Sequence, residues 1–279
     1  MAHFAGVDIG STMTKVVIIN ETILASVIKP THPEQRRLAN VVMEEALAEA
    51  RLDFDEISYI VATGYGRINV PFADKQITEI SCHARGISSL LPQARIIIDI
   101  GGQDFKGIKV NNGQLVDFVM NDKCAAGTGR FLEVIAETLG IKLEDMGRLS
   151  LAAKSEITIA NMCTVFAIQE VVTYLANGAA LEDVLAGVHH AIATRVSGMV
   201  RKLKIDGDIA LTGGGAKNVG LVKALEDKLN CRLLIPPEPL LTGAIGAALK
   251  GKDISQEAER SGLPLIRSRH CLQEAAFYS

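Results

Sequence analysis

Apolar positions along the chain follow two alternating rhythms. Short, nearly continuous apolar runs rich in Ile and Val break at glycine, as buried strands do, and longer stretches repeat apolar residues every three or four positions, the helical spacing. One strand unit occurs twice. Its first copy is Phe4-Ala-Gly-Val-Asp8-Ile-Gly10-Ser11-Thr12, followed by Thr14-Lys15-Val-Val-Ile-Ile-Asn20. Its second is Arg95-Ile-Ile-Ile-Asp99-Ile-Gly101-Gly102-Gln103-Asp104, followed by Lys106-Gly-Ile-Lys-Val110 and the hairpin signal Asn111-Asn112-Gly113. Each copy predicts a strand ending in Asp, a glycine turn and a second strand. Two further strand-to-glycine units run from Ile57 to Arg67, through Thr63-Gly64-Tyr65-Gly66, and from Ile209 to Asn218, through Thr212-Gly213-Gly214-Gly215.

Helical spacing covers residues 34–51, 181–203 and 219–229. It also covers 129–139, with Phe131, Leu132, Ile135 and Leu139 on one face, and 164–175, with Ile168, Val171, Val172 and Leu175 on one face. Alternating strands and helices predict an α/β protein. The duplicated hairpins predict two similar halves with a cleft between them, and no Pro- or Ser-rich linker separates them. The stretch from Gly251 to Ser279 is more polar and carries no readable motif.

The 279 residues are 48% hydrophobic and 22% charged, the balance of a globular protein, and with no Trp and 4% aromatics the core must be aliphatic. A net charge of −3 argues against a nucleic-acid or anionic-membrane surface. No apolar run approaches the ~20 residues of a membrane span, and Met1-Ala2-His3-Phe4 does not begin a signal peptide; the expectation is a cytoplasmic protein. The five cysteines, Cys82, Cys124, Cys163, Cys231 and Cys271, are odd in number and widely spaced, so a disulfide framework is not expected. For Cys82, Cys231 and Cys271 the ordinary role is a small buried apolar residue; Cys82-His83 and His189-His190 are likewise read as helix positions with ordinary packing.

Glycine turns let backbone N–H groups approach a phosphate, and hydroxyls add donors. Gly10-Ser11-Thr12 and Gly101-Gly102-Gln103 both have that chemistry. Asp8 and Asp99 suit Mg²⁺, which takes a few carboxylates plus substrate oxygens; Lys15 suits phosphate charge, and Gly213-Gly214-Gly215 would let a nucleoside lie against backbone. Any one turn alone is an ordinary glycine turn; matched copies plus the third glycine run favour a magnesium-polyphosphate site. Gly246-Ala-Ala-Leu-Lys-Gly251-Lys252 nearly reproduces a Walker motif, but Asp253 stands where Ser or Thr is required and a helical stretch precedes it. Gly127-Thr128-Gly129 lacks the third glycine and preceding strand of a dinucleotide fingerprint.

Asp8-Ile-Gly-Ser-Thr, Asp99-Ile-Gly-Gly-Gln-Asp, Leu211-Thr-Gly-Gly-Gly and Gly243-Ala-Ile-Gly-Ala-Ala resemble the two phosphate motifs, the adenosine motif and the closing helix of the actin/Hsp70/sugar-kinase ATPases. The resemblance implies two ribonuclease-H-like domains, residues 1–93 with 240–279 and residues 94–239, closing over ATP or ADP. Thr14, Lys217, Asn218 and Gly243 join the glycine turns as expected nucleotide contacts, and Asp104 or Gln103 is expected to orient the attacking water.

Cys124 lies in Asn121-Asp-Lys-Cys-Ala-Ala-Gly-Thr128-Gly-Arg, with Thr128 as an expected N-cap; Cys163 lies in Asn161-Met-Cys-Thr164-Val-Phe, with Thr164 in the same role. A helix N-terminus favours thiolate and anionic groups. Four thiolates hold a [4Fe–4S] cluster, and a symmetric dimer giving two each is the economical arrangement; the alternative is two core cysteines near helix starts. These segments, with Ala62-Thr-Gly-Tyr-Gly-Arg67, Ala73-Asp-Lys-Gln-Ile-Thr-Glu79 and Met162-Cys-Thr-Val-Phe-Ala167, resemble the activators of 2-hydroxyacyl-CoA dehydratases, a group that includes ATPase subunits of benzoyl-CoA reductase. The similarity spans residue 4 to about 250. It implies a homodimer with one bridging [4Fe–4S] cluster on Cys124 and Cys163 of each subunit. It further implies reduced ferredoxin or flavodoxin as donor; the expected mechanism is ATP-linked closure of the two halves that gates electron transfer to an iron–sulfur dehydratase or acyl-CoA reductase. The chain departs from the family at Ala167-Ile168-Gln169-Glu170-Val171, at Leu240-Leu241-Thr242-Gly243 and at Ala216-Lys217-Asn218. The rival readings are a sugar-type kinase on the same fold and a nucleotide-binding scaffold without electron transfer.

Overall fold

In the computed structural model, residues 2–160 and 163–267 are described; Asn161, Met162 and Cys271, singled out above, lie outside them. The chain divides into two compact units. One takes the residues up to Pro92, Asn112–Leu115 and those from Leu240 on; the other takes Gln93–Asn111 and Val116–Pro239.

The first unit holds strands β1 (His3–Ile9), β2 (Met13–Ile19), β3 (Ile23–Pro30), β4 (Ile57–Thr63) and β5 (Lys75–Gln76), in the order β3-β2-β1-β4-β5. β1 pairs antiparallel with β2 and parallel with β4. Helix α1 (Gln35–Ala50) covers one face, burying Leu38, Val42, Met43 and Leu47 against Val7, Ile9, Val16 and Ile60. Helices α2 (Glu79–Leu90) and α8 (Thr242–Ser261) belong to the other face, whose core joins Phe4, Val17 and Val61 to Ala244, Ala247 and Ala248. The approach there is close because the residues are small: a Cβ on Gly6 would collide with the Ala244 carbonyl and sit 2.6 Å from the Ala248 nitrogen.

The second unit repeats this plan. Strands β6 (Ala94–Ile100), β7 (Phe105–Asn111), β8 (Gln114–Asn121), β9 (Asp208–Thr212) and β10 (Leu233–Leu234) lie in the order β10-β9-β6-β7-β8. β6 again pairs antiparallel with the next strand and parallel with the fourth. Helices α3 (Gly129–Leu139), α4 (Leu143–Ser150), α5 (Thr164–Ala176), α6 (Leu181–Val200) and α7 (Val219–Leu229) share one core with this sheet, centred on Phe105, Phe131, Ile135, Val188, Val196 and Leu211.

One expectation changes. On α5 only Ala167 and Val171 are fully buried; Val172, expected on the core face, is 49% exposed. Past Gly251, where no motif was readable, α8 continues to Ser261, burying Gly251 and Ser255. The near-Walker segment from Gly246 to Lys252 lies inside that helix, so its N–H groups are committed to the helix ladder. No helix among the described residues is long and apolar enough to cross a membrane.

Candidate functional site: two matched carboxylate–lysine turns and two cysteine loops

Strand register places the same chemistry in each unit. Asp8 stands opposite Lys15 on β2 and Thr63 on β4. Asp99 stands opposite Lys106 on β7 and Thr212 on β9.

Asp8 is 1% exposed. Its Oδ2 accepts from Lys15 Nζ at 3.1 Å, while its buried Oδ1 has no hydrogen-bond partner among the described residues. A carboxylate oxygen left dry is costly, so Oδ1 has the character of an atom waiting for a cation or water. The turn closes through Gly10 N–H donating to the Met13 carbonyl at 3.0 Å, leaving Gly10, Ser11 and Thr12 half-buried. Thr14 is buried and its hydroxyl meets that of Thr31 at 2.9 Å, so it braces β2 against β3. Gly64 has φ +84°, and a Cβ there would sit 2.5 Å from Asp8 Oδ1 and strike the Ile9 carbonyl; only glycine fits. At the start of α8, a Cβ on Gly243 would meet Asp8 Oδ2 at 3.0 Å and His83 Nε2 at 3.2 Å. His83 is itself buried, with Nδ1 3.0 Å from Thr242 Oγ1 and Nε2 3.7 Å from Glu79. His83 and the Asp8 carboxylate thus flank the same glycine, which the ordinary helix spacing of His83 did not reveal.

Asp99 is 3% exposed. Lys106 Nζ lies 3.3 Å from Asp99 Oδ2 and 2.8 Å from Asp104 Oδ2, so one buried ammonium serves two buried carboxylates. The turn closes through Gly101 N–H donating to the Asp104 carbonyl at 3.0 Å. Gly101 and Gly102 are half-buried and Gln103 is exposed. Gly213, φ +79°, holds the place of Gly64: a Cβ there would sit 2.8 Å from Asp99 Oδ1. Gly214 is exposed and Gly215 packs on Ile100. Lys217 Nζ is 3.0 Å from Glu238, and Asn218 caps α7 by accepting from Leu221 N–H at 3.0 Å.

Two features escaped the sequence reading, though each had a signal. Lys106 follows Asp99 at the same seven-residue offset that separates Lys15 from Asp8. The run Thr63-Gly64-Tyr65-Gly66 repeats the Thr-Gly-x-Gly of Thr212 to Gly215, which marks it as the matching turn of the first unit.

Both cysteine loops lie in the second unit. Cys124 and Cys163 are free thiols and half-buried. Cys163 is itself the N-cap of α5, and its carbonyl accepts from Ala167 N–H at 3.0 Å; Thr164, expected in that place, is the first helical residue. The chain before it is held by α5 side chains, the Glu170 carboxylate accepting from Ala160 N–H and Tyr174 donating to the Thr158 carbonyl at 3.2 Å. Cys124 lies four residues before Thr128, the N-cap of α3. Here the expected use of free helix N–H groups fails: those of Gly129 and Arg130 donate to the Gly101 and Gly102 carbonyls at 2.8 and 2.7 Å. What holds the loop is Asn121, whose side-chain amide donates to the Cys124 carbonyl at 2.8 Å and the Ala126 carbonyl at 3.3 Å. The thiol of Cys82, buried, is pushed up to about 12 mainly by desolvation, the state of an inert core residue; Cys231 is exposed.

In the first unit, the buried strand-end carboxylate of Asp8, with its unpartnered oxygen, suits a hard dication. Two half-buried thiols per chain suit half of a four-thiolate cluster.

Duplicated five-stranded sheets with a carboxylate–lysine turn on each define an ATPase of the actin/Hsp70/sugar-kinase fold. The chain belongs to the BadF/BadG/BcrA/BcrD ATPase family, which matches residues 5–251. It is 43% identical over 263 residues to the 2-hydroxyisocaproyl-CoA dehydratase activator of Clostridioides difficile, covering 91% of this chain and 97% of that one. To the activator of lactoyl-CoA dehydratase of Anaerotignum propionicum it is 44% identical over 259 residues, 90% and 98% of the two chains. The solved structure of the Clostridium difficile activator with bound ADPNP superposes with a TM-score of 0.86 at 42% identity, over 93% of this chain and 97% of that one.

Proposed function

We propose that this ATPase is the activator of a 2-hydroxyacyl-CoA dehydratase, or of a related acyl-CoA reductase, and that it delivers single low-potential electrons through a [4Fe–4S] cluster shared by a homodimer. Asp8 and Asp99 hold Mg²⁺. Gly10, Ser11, Thr12, Gly101 and Gly102 present backbone and hydroxyl donors to the phosphates, with Lys15 and Lys106 as the fixed positive charges behind them. Gly213 to Gly215 take the adenosine, with Lys217, Asn218 and Gly243 near it. Because Lys106 engages Asp104, the water-orienting role falls to the exposed Gln103. Cys124 and Cys163 of each of two copies supply the cluster thiolates; when bound, the cluster stores and releases one electron. The donor is a ferredoxin or flavodoxin and the compartment is the cytoplasm.

The observation that carries this reading is the pair of free, half-buried thiols in the same unit as one phosphate turn, in a chain more than 40% identical to two dehydratase activators. Beside Cys163, Val165 and Phe166 are 68% and 61% exposed, an apolar surface suited to meeting a second copy. Anaerobic preparation followed by iron analysis and ATPase assay tests it. An iron-containing dimer whose iron disappears on Cys124→Ser or Cys163→Ser is expected. An iron-free chain that phosphorylates a sugar would overturn it.

A further inference from the structure

The second glycine turn and the Cys124 loop are joined by an unbroken set of hydrogen bonds. The carbonyls of Gly101 and Gly102 accept from the first two N–H groups of α3, at Gly129 and Arg130. Thr128 closes the step before, its N–H and hydroxyl both donating to the Ala125 carbonyl, at 3.0 and 2.7 Å. Asn121 closes the remainder by holding the carbonyls of Cys124 and Ala126. Every carbonyl from Cys124 to Ala126 is thereby fixed. Gly127 leaves no slack either: it has φ +91°, and a Cβ there would sit 3.1 Å from both Phe105 and Arg195.

Peptide planarity turns this contact into a coupling. The carbonyl of Gly101 and the N–H of Gly102 belong to one rigid plane, as do the carbonyl of Gly102 and the N–H of Gln103. When those N–H groups turn to meet a phosphate, the carbonyls that cap α3 turn with them. Among the described residues, the chain before Cys163 is tied instead to its own helix, through Glu170 and Tyr174.

We infer that nucleotide at the second turn is communicated to Cys124 and not to Cys163, and that Asn121 is the positioning residue that fixes Cys124 to this linkage. The inference rests on the proposed reading of this turn as phosphate-binding and of Cys124 as a cluster ligand, but it concerns the chain's own atoms and is testable without the cluster. Asymmetry between the two thiols is its distinguishing mark, since a general tightening of the protein would slow both.

The test uses the iron-free, reduced chain. Iodoacetamide alkylation of Cys124 and Cys163 is followed by peptide mass spectrometry with and without MgADP, the exposed Cys231 serving as reference, and MgADP binding is measured by calorimetry in the same samples. The expected result is a MgADP-dependent change in the Cys124 rate with none at Cys163. Asn121→Asp, which keeps the size but removes both donors, should abolish the nucleotide dependence at Cys124 while leaving MgADP affinity unchanged. Gly129→Ala is a second variant, its methyl pressing on the Gly101 carbonyl at 3.0 Å. It should shift the Cys124 rate and weaken MgADP binding together, because coupling is reciprocal. Equal responses at the two cysteines, or a full response in Asn121→Asp, would overturn the inference. No response at Cys124 in a chain shown to bind MgADP would also overturn it while leaving the proposed function standing. Failure to bind MgADP would overturn both.

Discussion

Asp99 and Lys106 face each other across adjacent strands, and the lysine ammonium, 3.3 Å from one Asp99 oxygen, also lies 2.8 Å from Asp104. The side chains of all three residues are nearly inaccessible. In the first unit Asp8 and Lys15 stand in the same register at 3.1 Å, but Lys15 is 12% exposed. The duplicated turns are thus alike in register and unlike in burial: the cation of the second is 2% exposed and lies against two buried carboxylates.

That difference predicts unequal consequences of removing the lysines. Lys106→Met leaves two buried carboxylates without their cation and should cost about 3–5 kcal/mol, the range for breaking a buried ion pair. Lys15→Met acts on a more exposed cation and should cost less. Urea unfolding of the two variants measures this; equal losses, or a larger loss for Lys15→Met, would show that the second turn is not the more tightly coupled one.

Gly64 and Gly213 occupy equivalent places, each at positive φ with no room for a Cβ beside an Asp carboxylate. Alanine at either must displace the strand-end carbonyl of Ile9 or Ile100 and the aspartate behind it. A displacement of about 1 Å at a reacting group is worth roughly a hundredfold in rate, so Gly64→Ala and Gly213→Ala should each depress ATP turnover on that scale. Wild-type turnover in either folded variant would mean that the aspartate it touches does not position nucleotide.

His189 is 1% exposed, with Nδ1 2.9 Å from Ser150 Oγ. Burial, and secondarily the charge of His190, lowers its pKa to about 4 from an ordinary value near 6.5. Between those values the unfolded chain binds a proton that the folded chain refuses, so stability falls as pH drops from about 6.5 towards 4, and above 6.5 this residue contributes no pH dependence. The full shift corresponds to roughly 3 kcal/mol. His189→Leu leaves Ser150 its bond to the Gly147 carbonyl and should flatten that part of the pH–stability curve. An unchanged slope would assign the acid sensitivity to other groups.

Much of this was legible in the chain because the signals were local. Alternating strand and helix spacing gave the α/β class, and the duplicated strand–Asp–glycine pattern gave two similar units with strand-end carboxylates, since a strand end and its turn lie within a dozen residues of each other. The role of Lys106 was legible only through the repeat. The placement of His83 and Asp8 against Gly243 was not, because it depends on how α8 packs against β1 and α2, contacts between residues far apart in sequence. The Cys124 loop misled for a related reason. A helix start in sequence suggests free N–H groups, but whether they are free depends on what the fold brings to them, and here it brings Gly101 and Gly102. Val172 falls on the apolar stripe of α5 yet lies exposed, because periodicity records which residues are apolar and not which neighbour covers them.

The central claim is ATP-linked electron delivery through thiolates from Cys124 and Cys163. Its most direct test is electron paramagnetic resonance of the dithionite-reduced, anaerobically prepared protein, alongside ATP-dependent activation of a purified 2-hydroxyacyl-CoA dehydratase. The native chain should show one [4Fe–4S]⁺ signal per two chains and activate the dehydratase only with MgATP. Cys124→Ser should lose both signal and activation while still binding MgADP. A Cys124→Ser protein that keeps the signal, or a native protein that activates the dehydratase without iron, would contradict the account.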